Sequence, residues 1–252
     1  MKLVSVIIPY FKKIRYINKA INSILKQTYK NFEVIIVYDD ESLEDLKIVN
    51  NIKKKDKRIK VIVNKKNLGA GYSRNIGIKK SKGDIIAFLD ADDYWKKNKL
   101  KKQIDFMKKY SCDFVHSSYF IVNKKNKVLD SRIAPKLINY QDLEKSCDIG
   151  LSTVMINKKI FKKIKFPKLK TKEDYVVWLK ISKKKIKIFG IKEKLVFWRN
   201  LENSLSSNLW QKLKDGYFVY RKYLRLSMIN SLFSLFILSL NFIKKKNKIL
   251  FF

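Results

Sequence analysis

Apolar positions in the first ninety residues fall into short β-branched runs separated by helical stripes. Leu3 to Pro9 is apolar apart from Ser5 and predicts a buried first strand. From Arg15 to Gln27, residues Ile17, Ala20, Ile21, Ile24 and Leu25 share one helical face. Phe32 to Val37 predicts a second strand, Leu43 to Lys54 a polar helix, and Ile59 to Val63 a short third strand. Tyr72 to Lys80 predicts a helix behind the loop Asn67-Leu68-Gly69-Ala70-Gly71, and Ile85 to Leu89 a fourth buried strand. Strands alternating with helices predict right-handed crossovers and a mostly parallel sheet with helices on both faces. In such sheets ligands lie beyond the carboxyl ends of the strands.

The second half is less regular. It predicts a helix over Lys96 to Tyr110 and a hairpin from Phe114 to Val122 and Lys127 to Ile133. Further short strands are expected at Ser152 to Ile156, Ile186 to Ile191 and Leu195 to Arg199, and helices at Asp174 to Ser182 and Trp210 to Arg225.

The tail from 226 to 243 is rich in Leu, Ile and Phe but interrupted by Ser and Asn. Basic clusters flank it: Arg221, Lys222 and Arg225 before, Lys244, Lys245, Lys246 and Lys248 after. A membrane span needs about 20 predominantly apolar residues, and this segment is marginal in length and polarity. An interfacial helix with its basic residues on headgroups fits better. A helix packed on the domain, or on a second subunit of a homo-oligomer, is the other reading. The chain of 252 residues thus divides into one α/β domain over 1–207 and a helical appendage over 208–252.

Charge changes the picture less than its size suggests. The formal net charge is +36. Lysines are scattered through every segment, Arg is scarce, and no basic stripe alternates with stacking aromatics, so dedicated nucleic-acid binding is not expected. An anionic membrane surface is the better partner for the charge. Cys112 and Cys147 lie far apart without CxxC spacing, and no signal peptide precedes the first strand. Both features predict a cytoplasmic protein, and the basic-flanked apolar tail is expected to hold it peripherally on the inner face of the cell membrane. His116, the one histidine, sits in an apolar run and reads as a satisfied core residue.

The most informative stretch runs from Gly83 to Trp95. The apolar strand Ile85 to Leu89 ends in Asp90, Asp92 and Asp93. Three carboxylates in four positions repel one another unless a cation or partner offsets them. Hard divalent cations take such oxygens, often together with substrate phosphates. Asp39 and Asp40 also follow a strand, so both clusters face one crevice. Asp93 reads equally as a helix cap or as part of the site.

With these segments in place the chain resembles the family 2 glycosyltransferases of GT-A fold, from Val4 to about Ser207. Val4-Ser5-Val6-Ile7-Ile8-Pro9-Tyr10 resembles the family's opening strand, and Gln27-Thr28-Tyr29-Lys30-Asn31-Phe32-Glu33 its link to the second. Asp39-Asp40-Glu41-Ser42 resembles the nucleotide-contacting turn. Asn67-Leu68-Gly69 with Ser73-Arg74-Asn75 resembles the donor loop and the helix after it. Asp90-Ala91-Asp92 is similar to the metal-binding DxD, and Lys172-Glu173-Asp174-Tyr175 with Trp178-Leu179 to the segment carrying the base. Trp198-Arg199 with Ser204-Leu205-Ser206 resembles the motif that ends the domain. Departures are Glu41 where relatives carry Gly, Tyr38 where they carry an aliphatic, and Asn200-Leu201-Glu202 where many carry a His.

The resemblance implies transfer of a sugar from a nucleoside diphosphate, most simply a UDP-sugar, to a hydroxyl of a saccharide or lipid-linked acceptor in surface-polysaccharide synthesis. It implies inversion at the anomeric carbon and Mn²⁺ or Mg²⁺ as cofactor. By the same resemblance Asp92 is expected as the direct metal ligand, with Asp90 contacting ribose or metal-bound water. Asp174 is expected as the general base, with Glu173 the substitute. Pro9, Asp40, Arg74, Asp90 and Arg199 are expected to contact the donor nucleotide. Arg74 reads alternatively as a surface helix residue, Arg199 as the partner of an acid, and Trp178 as core and wall. A sugar nucleotidyltransferase is the competing enzyme class, but Pro9-Tyr10-Phe11-Lys12-Lys13 lacks the glycine-rich loop such an enzyme needs. A non-catalytic basic lipid- or nucleic-acid-binding module leaves the acid clusters unexplained.

Overall fold

The computed structural model describes residues 2–201 and 208–247. The alternation read from the sequence is present: β1 (Val4–Tyr10), α1 (Ile14–Leu25), β2 (Phe32–Tyr38), α2 (Leu43–Lys53), β3 (Ile59–Val63), α3 (Ala70–Lys80) and β4 (Ile85–Phe88). The stripe Ile17, Ala20, Ile21 and Ile24 is the buried face of α1. Ser42 caps α2 by accepting from the Asp45 N–H at 3.1 Å. Then come β5 (Tyr94–Trp95), α4 (Lys99–Lys109), the hairpin β6 (Phe114–Val122) and β7 (Val128–Arg132), β8 (Leu137–Ile138), α5 (Tyr140–Lys145) and β9 (Met155–Asn157). The chain continues through α6 (Glu173–Lys183), β10 (Ile188–Arg199), α7 (Leu209–Phe218) and α8 (Met228–Asn247).

Among the described residues these strands form one sheet, in the order β3-β2-β1-β4-β9-β6-β10-β5, with β7 on β6 and β8 on β10. The pairs among β1, β2, β3 and β4 are parallel, as expected. Beyond them the sheet is mixed: β9 runs antiparallel to both β4 and β6, and only β6 with β10 is parallel. The expectation of a mostly parallel sheet therefore holds for its first half alone. Short returns such as the turn from β6 to β7 cannot supply a crossover, so they close antiparallel pairs. The two strands expected between 186 and 199 are one, broken by register shifts between Ile191 and Val196.

Two apolar layers cover the sheet. Alternate residues of β1, Val4, Val6 and Ile8, pack with α1, α2 and α4, while Ile7 points to the opposite layer. That second layer holds Tyr175, Trp178 and Ile181 of α6. Val219, Tyr220, Leu224 and Leu238 of the C-terminal segment join the same cluster. The appendage expected beyond 207 is thus packed on α6 along one side. The α7 helix runs into a π-helical turn, Val219–Tyr223, before α8 begins. No helix of the described residues is long and apolar enough to cross a membrane.

Candidate active site

The end of β4 brings its three carboxylates into different surroundings. Asp92 Oδ2 pairs with Lys13 Nζ at 2.8 Å. Asp90 Oδ1 accepts from Arg74 Nη2 at 2.8 Å and is a third exposed. Asp93 is buried and accepts from Ser152 Oγ at 2.6 Å and from the Arg199 N–H at 2.8 Å. Burial, with Asp92 and Asp90 nearby, holds the Asp93 carboxyl well above the usual range. Of its two readings the helix cap is excluded, since α4 begins at Lys99 with Asn98 at its N-cap position, five residues beyond Asp93. Asp93 instead stitches the DxD turn to the last residue of β10.

Arg74 is the junction of the site. It is buried, and its two terminal nitrogens reach different elements: Nη2 to Asp90, and Nη1 to Glu173 Oε1 at 2.5 Å. Its Nε has no partner among the described residues. Arg74 is therefore no surface helix residue. The approach of α6 to α3 depends on Gly71, where a Cβ would lie 2.9 Å from the Pro167 carbonyl oxygen and 3.1 Å from Glu173 Cγ. Burial pushes Glu173 up to about 7, against the pull of Arg74. Asp174 beside it is also raised by burial, again opposed by Arg74. Its Oδ1 accepts from the Tyr175 N–H at 2.8 Å. Among the described residues Oδ2 has no hydrogen bond, whereas Glu173 is held by the guanidinium.

The acidic turn after β2 organises backbone. Asp39 is buried and accepts from the Leu68 and Gly69 N–H groups, both at 2.8 Å, and from Asn64 Nδ2 at 2.7 Å. It thereby shapes the loop ahead of α3. Asp40 accepts from the Lys12 N–H at 2.7 Å and the Glu41 N–H at 2.8 Å, so it ties β2 to the loop after Pro9. The two departures from the family pattern are accommodated here. Tyr38 stacks on Tyr10 with ring centroids 5.0 Å apart, and its hydroxyl donates to the Ser42 carbonyl. Glu41 is not among the residues with positive φ, so the turn needs no glycine.

Arg199 closes the crevice from β10. Its Nε donates to the Asp92 carbonyl at 2.9 Å, Nη1 to the Asn123 carbonyl at 2.9 Å, and Nη2 to Asn126 Oδ1 at 2.8 Å. The guanidinium is spent on the β6–β7 turn and the DxD backbone, and among the described residues it pairs with no acid side chain.

Of the expected site residues, Arg74 links Asp90 to Glu173, with Asp174 next in the chain, and Arg199 reaches the Asp92 carbonyl. Asp40 is instead tied to the backbone of Glu41 and of Lys12, three residues after Pro9. Ser204-Leu205-Ser206 lies outside the described residues. Trp178 is fully buried, a core residue. His116 is buried as expected, but neither ring nitrogen has a partner among the described residues. Lys13 and Ser152 escaped the sequence reading. Lys13 is one of many scattered lysines, and nothing in the pattern marks Ser152.

Among the described residues no three His, Cys, Asp or Glu side chains converge as a ready metal cage. Two carboxylates, Asp90 and Asp92, face the crevice, and both already hold cationic groups. A hard divalent ion bound by one or two carboxylates, with substrate phosphates completing its shell, fits this donor set.

Comparison with known proteins places this geometry. The profile of Glycosyl transferase family 2 matches residues 5–165. The chain is 36% identical over 245 residues to the Bacillus subtilis protein described as a teichuronic acid biosynthesis glycosyltransferase, TuaG, covering 97% of each chain. It is 37% identical over 213 residues to the Escherichia coli UDP-Glc:alpha-D-GlcNAc-diphosphoundecaprenol beta-1,3-glucosyltransferase WfgD, covering 84% of this chain and 83% of that one. Its fold is similar to that of S. aureus TarS 1–349 in complex with UDP-GlcNAc, with a TM-score of 0.74 at 24% identity over 93% of this chain and 70% of that one. The chain belongs to glycosyltransferase family 2 and has the GT-A fold.

Proposed function

We propose that this glycosyltransferase moves a sugar from a UDP-sugar to a hydroxyl of a saccharide or lipid-linked acceptor in surface-polysaccharide synthesis, with inversion at the anomeric carbon. The donor and lipid-linked acceptor in the name of WfgD, and the polymer in that of TuaG, support the substrate classes. One observation carries the chemical assignment. Of the two adjacent acids at the head of α6, Glu173 is held by Arg74, and Asp174 keeps an oxygen without a hydrogen bond among the described residues. Asp174 takes the proton of the acceptor hydroxyl as its oxygen bonds to the anomeric carbon. The bond from that carbon to the diphosphate breaks, and the nucleoside diphosphate leaves with the electron pair. A carboxylate raised by burial is a stronger base for this step than a solvated one.

Asp92 and Asp90 would hold Mn²⁺ or Mg²⁺, which when bound offsets charge on the leaving diphosphate. Asp40 and Pro9 shape the nucleotide end. Arg199 fixes the DxD turn, and Arg74 holds Asp90 for the donor. Turnover of a panel of nucleotide sugars with Mn²⁺ tests the donor class. Asp174→Asn tests the base: transfer falls by about 10²–10⁴-fold with donor affinity retained. Loss in Glu173→Gln with full transfer in Asp174→Asn reverses the assignment.

The surface of α8 supports placement on the inner face of the cell membrane. Ile229, Leu232, Phe233, Phe236, Leu240 and Ile243 are exposed along one stripe of the helix. Exposed Arg221, Arg225 and Lys244 stand at its ends. Such a stripe with basic flanks suits the interface of an anionic leaflet. The full chain sediments with phosphatidylglycerol vesicles and is partly released by high salt. Equal recovery with and without vesicles removes the membrane assignment.

A further inference from the structure

The head of α6 is held in a conformation its own sequence does not favour. Lys172, just ahead of Glu173 and Asp174, has φ +61°. A non-glycine residue there is strained and persists only where its surroundings fix it. Those surroundings come from two directions. On one side the Asn75 side chain of α3 takes both backbone groups of Phe166: Nδ2 donates to its carbonyl at 2.8 Å, and Oδ1 accepts from its N–H at 2.9 Å. On the other side stands α7. Asp215, 3% exposed, accepts through Oδ2 from the Thr171 N–H at 2.8 Å and from Thr171 Oγ1 at 2.9 Å. Its Oδ1 accepts from Gln211 Nε2 at 2.9 Å, one turn earlier in the same helix.

The carboxylate of Asp215 has no Lys or Arg partner within ion-pair distance among the described residues. Burying it is costly, and charge-assisted hydrogen bonds to Thr171 are what offset that cost. Gly216 permits the close fit. A Cβ there would meet Leu235 of α8 at 2.8 Å and Lys172 Cε at 3.5 Å, so the stem of the left-handed residue lies against the C-terminal helices.

We propose that Asp215 is a positioning residue for transfer. It grips Thr171, and through Thr171 it holds the left-handed turn at Lys172, so that Asp174 stands at the crevice. The C-terminal segment is then part of the acceptor side of the active site and not only a docking surface. This rests on the reading of Asp174 as the base.

The test uses the full chain with Mn²⁺ and the UDP-sugar it turns over fastest, water serving as acceptor. The readouts are the kcat for UDP release, the calorimetric Kd for UDP with Mn²⁺, and the melting temperature. Asp215→Ala should lower kcat by about 10–100-fold, as expected for a displaced catalytic group, with the Kd for UDP unchanged. Adding Lys172→Gly, which tolerates positive φ without support, should restore part of kcat. Thr171→Val should lower kcat less than Asp215→Ala, and Thr171→Ser should keep it. A merely structural role predicts instead that kcat, Kd and melting temperature fall together and that the glycine restores only the melting temperature. Either that pattern or an unchanged kcat in folded Asp215→Ala overturns the proposal. Should Asp215→Ala not fold, the Thr171 pair decides: equal kcat in Thr171→Val and Thr171→Ser overturns it. Asp174→Asn separates the two readings. If it keeps full turnover, the base assignment fails and this proposal with it. If Asp174→Asn loses turnover and Asp215→Ala does not, only the positioning claim fails.

Discussion

On one side of the crevice Asp40, Asp90 and Asp92 stand where β2 and β4 end. On the other, Asp174 stands where a loop, pinned by Asn75 and Asp215, turns into α6. The donor side follows from the architecture. Parallel strands with helical crossovers bring their carboxyl ends to one edge, so acids placed just after them meet without further arrangement. The acceptor side has no such guarantee. Glu173 reaches Arg74 across 99 residues, and Thr171 reaches Asp215 across 44. Its geometry is assembled from contacts between distant segments, and damage to any of them should reach the base.

The sharpest test of this contrast is Asp92→Ala. Loss of the direct metal ligand removes charge stabilisation of several kcal/mol, so turnover should fall by about 10³-fold. The fold should survive, since among the described residues the Asp92 side chain pairs only with the half-buried Lys13. Turnover in Asp92→Ala that equals the wild type and resists EDTA breaks the donor assignment. A large loss of melting temperature breaks the contrast instead, by showing that the donor acids also hold the fold.

Arg74→Met attacks the junction between the two sides. It strands Glu173 in a buried position without its guanidinium, at a cost on the order of 3 kcal/mol. In a chain of this size that lowers the melting temperature by roughly 10 °C. Adding Glu173→Gln removes the stranded charge and should recover much of the stability but not turnover. If the double variant is no more stable than Arg74→Met, the pairing at 2.5 Å is not what holds α3 to α6.

The same contrast explains what was legible in the sequence. The strand and helix alternation from β1 to β4 was readable because each element carries its own period, and the DxD and acidic turns because they follow apolar runs. The order Glu173-Asp174 was readable as a motif, but the division of labour between the two acids was not. That division depends on which one Arg74 reaches, a matter of packing that Gly71 permits. The short strands β5 and β8 and the helix α5 went unseen because two to six residues carry no period. The bulged β10 read as two strands because Lys192 and Glu193 interrupt its apolar pattern where the register shifts. The tail read as an appendage because sequence shows its apolar content and not that Val219, Tyr220 and Leu238 join the core layer that holds α6 while Phe233 and Phe236 face outward.

The smallest expected effect concerns His116 in β6, in the mixed half of the sheet against which α6 packs. Its ring is fully buried, and neither nitrogen has a partner among the described residues. Burial lowers its pKa to about 4, with Asp148 pulling weakly the other way. The unfolded chain binds this proton near pH 6.5, while the folded chain refuses it until about pH 4. Stability from the neutral ring is therefore complete above 6.5 and is lost as pH falls toward 4. At pH 5 the loss is about 2 kcal/mol, or roughly 4–8 °C in melting temperature. Glu173, raised to about 7, works in the opposite sense, since a carboxyl that prefers its proton gains stability as pH falls. The informative quantity is the difference between wild type and His116→Phe, whose ring cannot titrate. Between pH 7.5 and 5 the variant should lose less stability than the wild type by about that amount. Hydrogen exchange at pH 5 should show β6 and α6 opening before β1 and β2 in the wild type, and this order should weaken in the variant. Equal acid sensitivity in both proteins would clear His116 and leave the mixed half of the sheet no more acid-labile on its account than the parallel half.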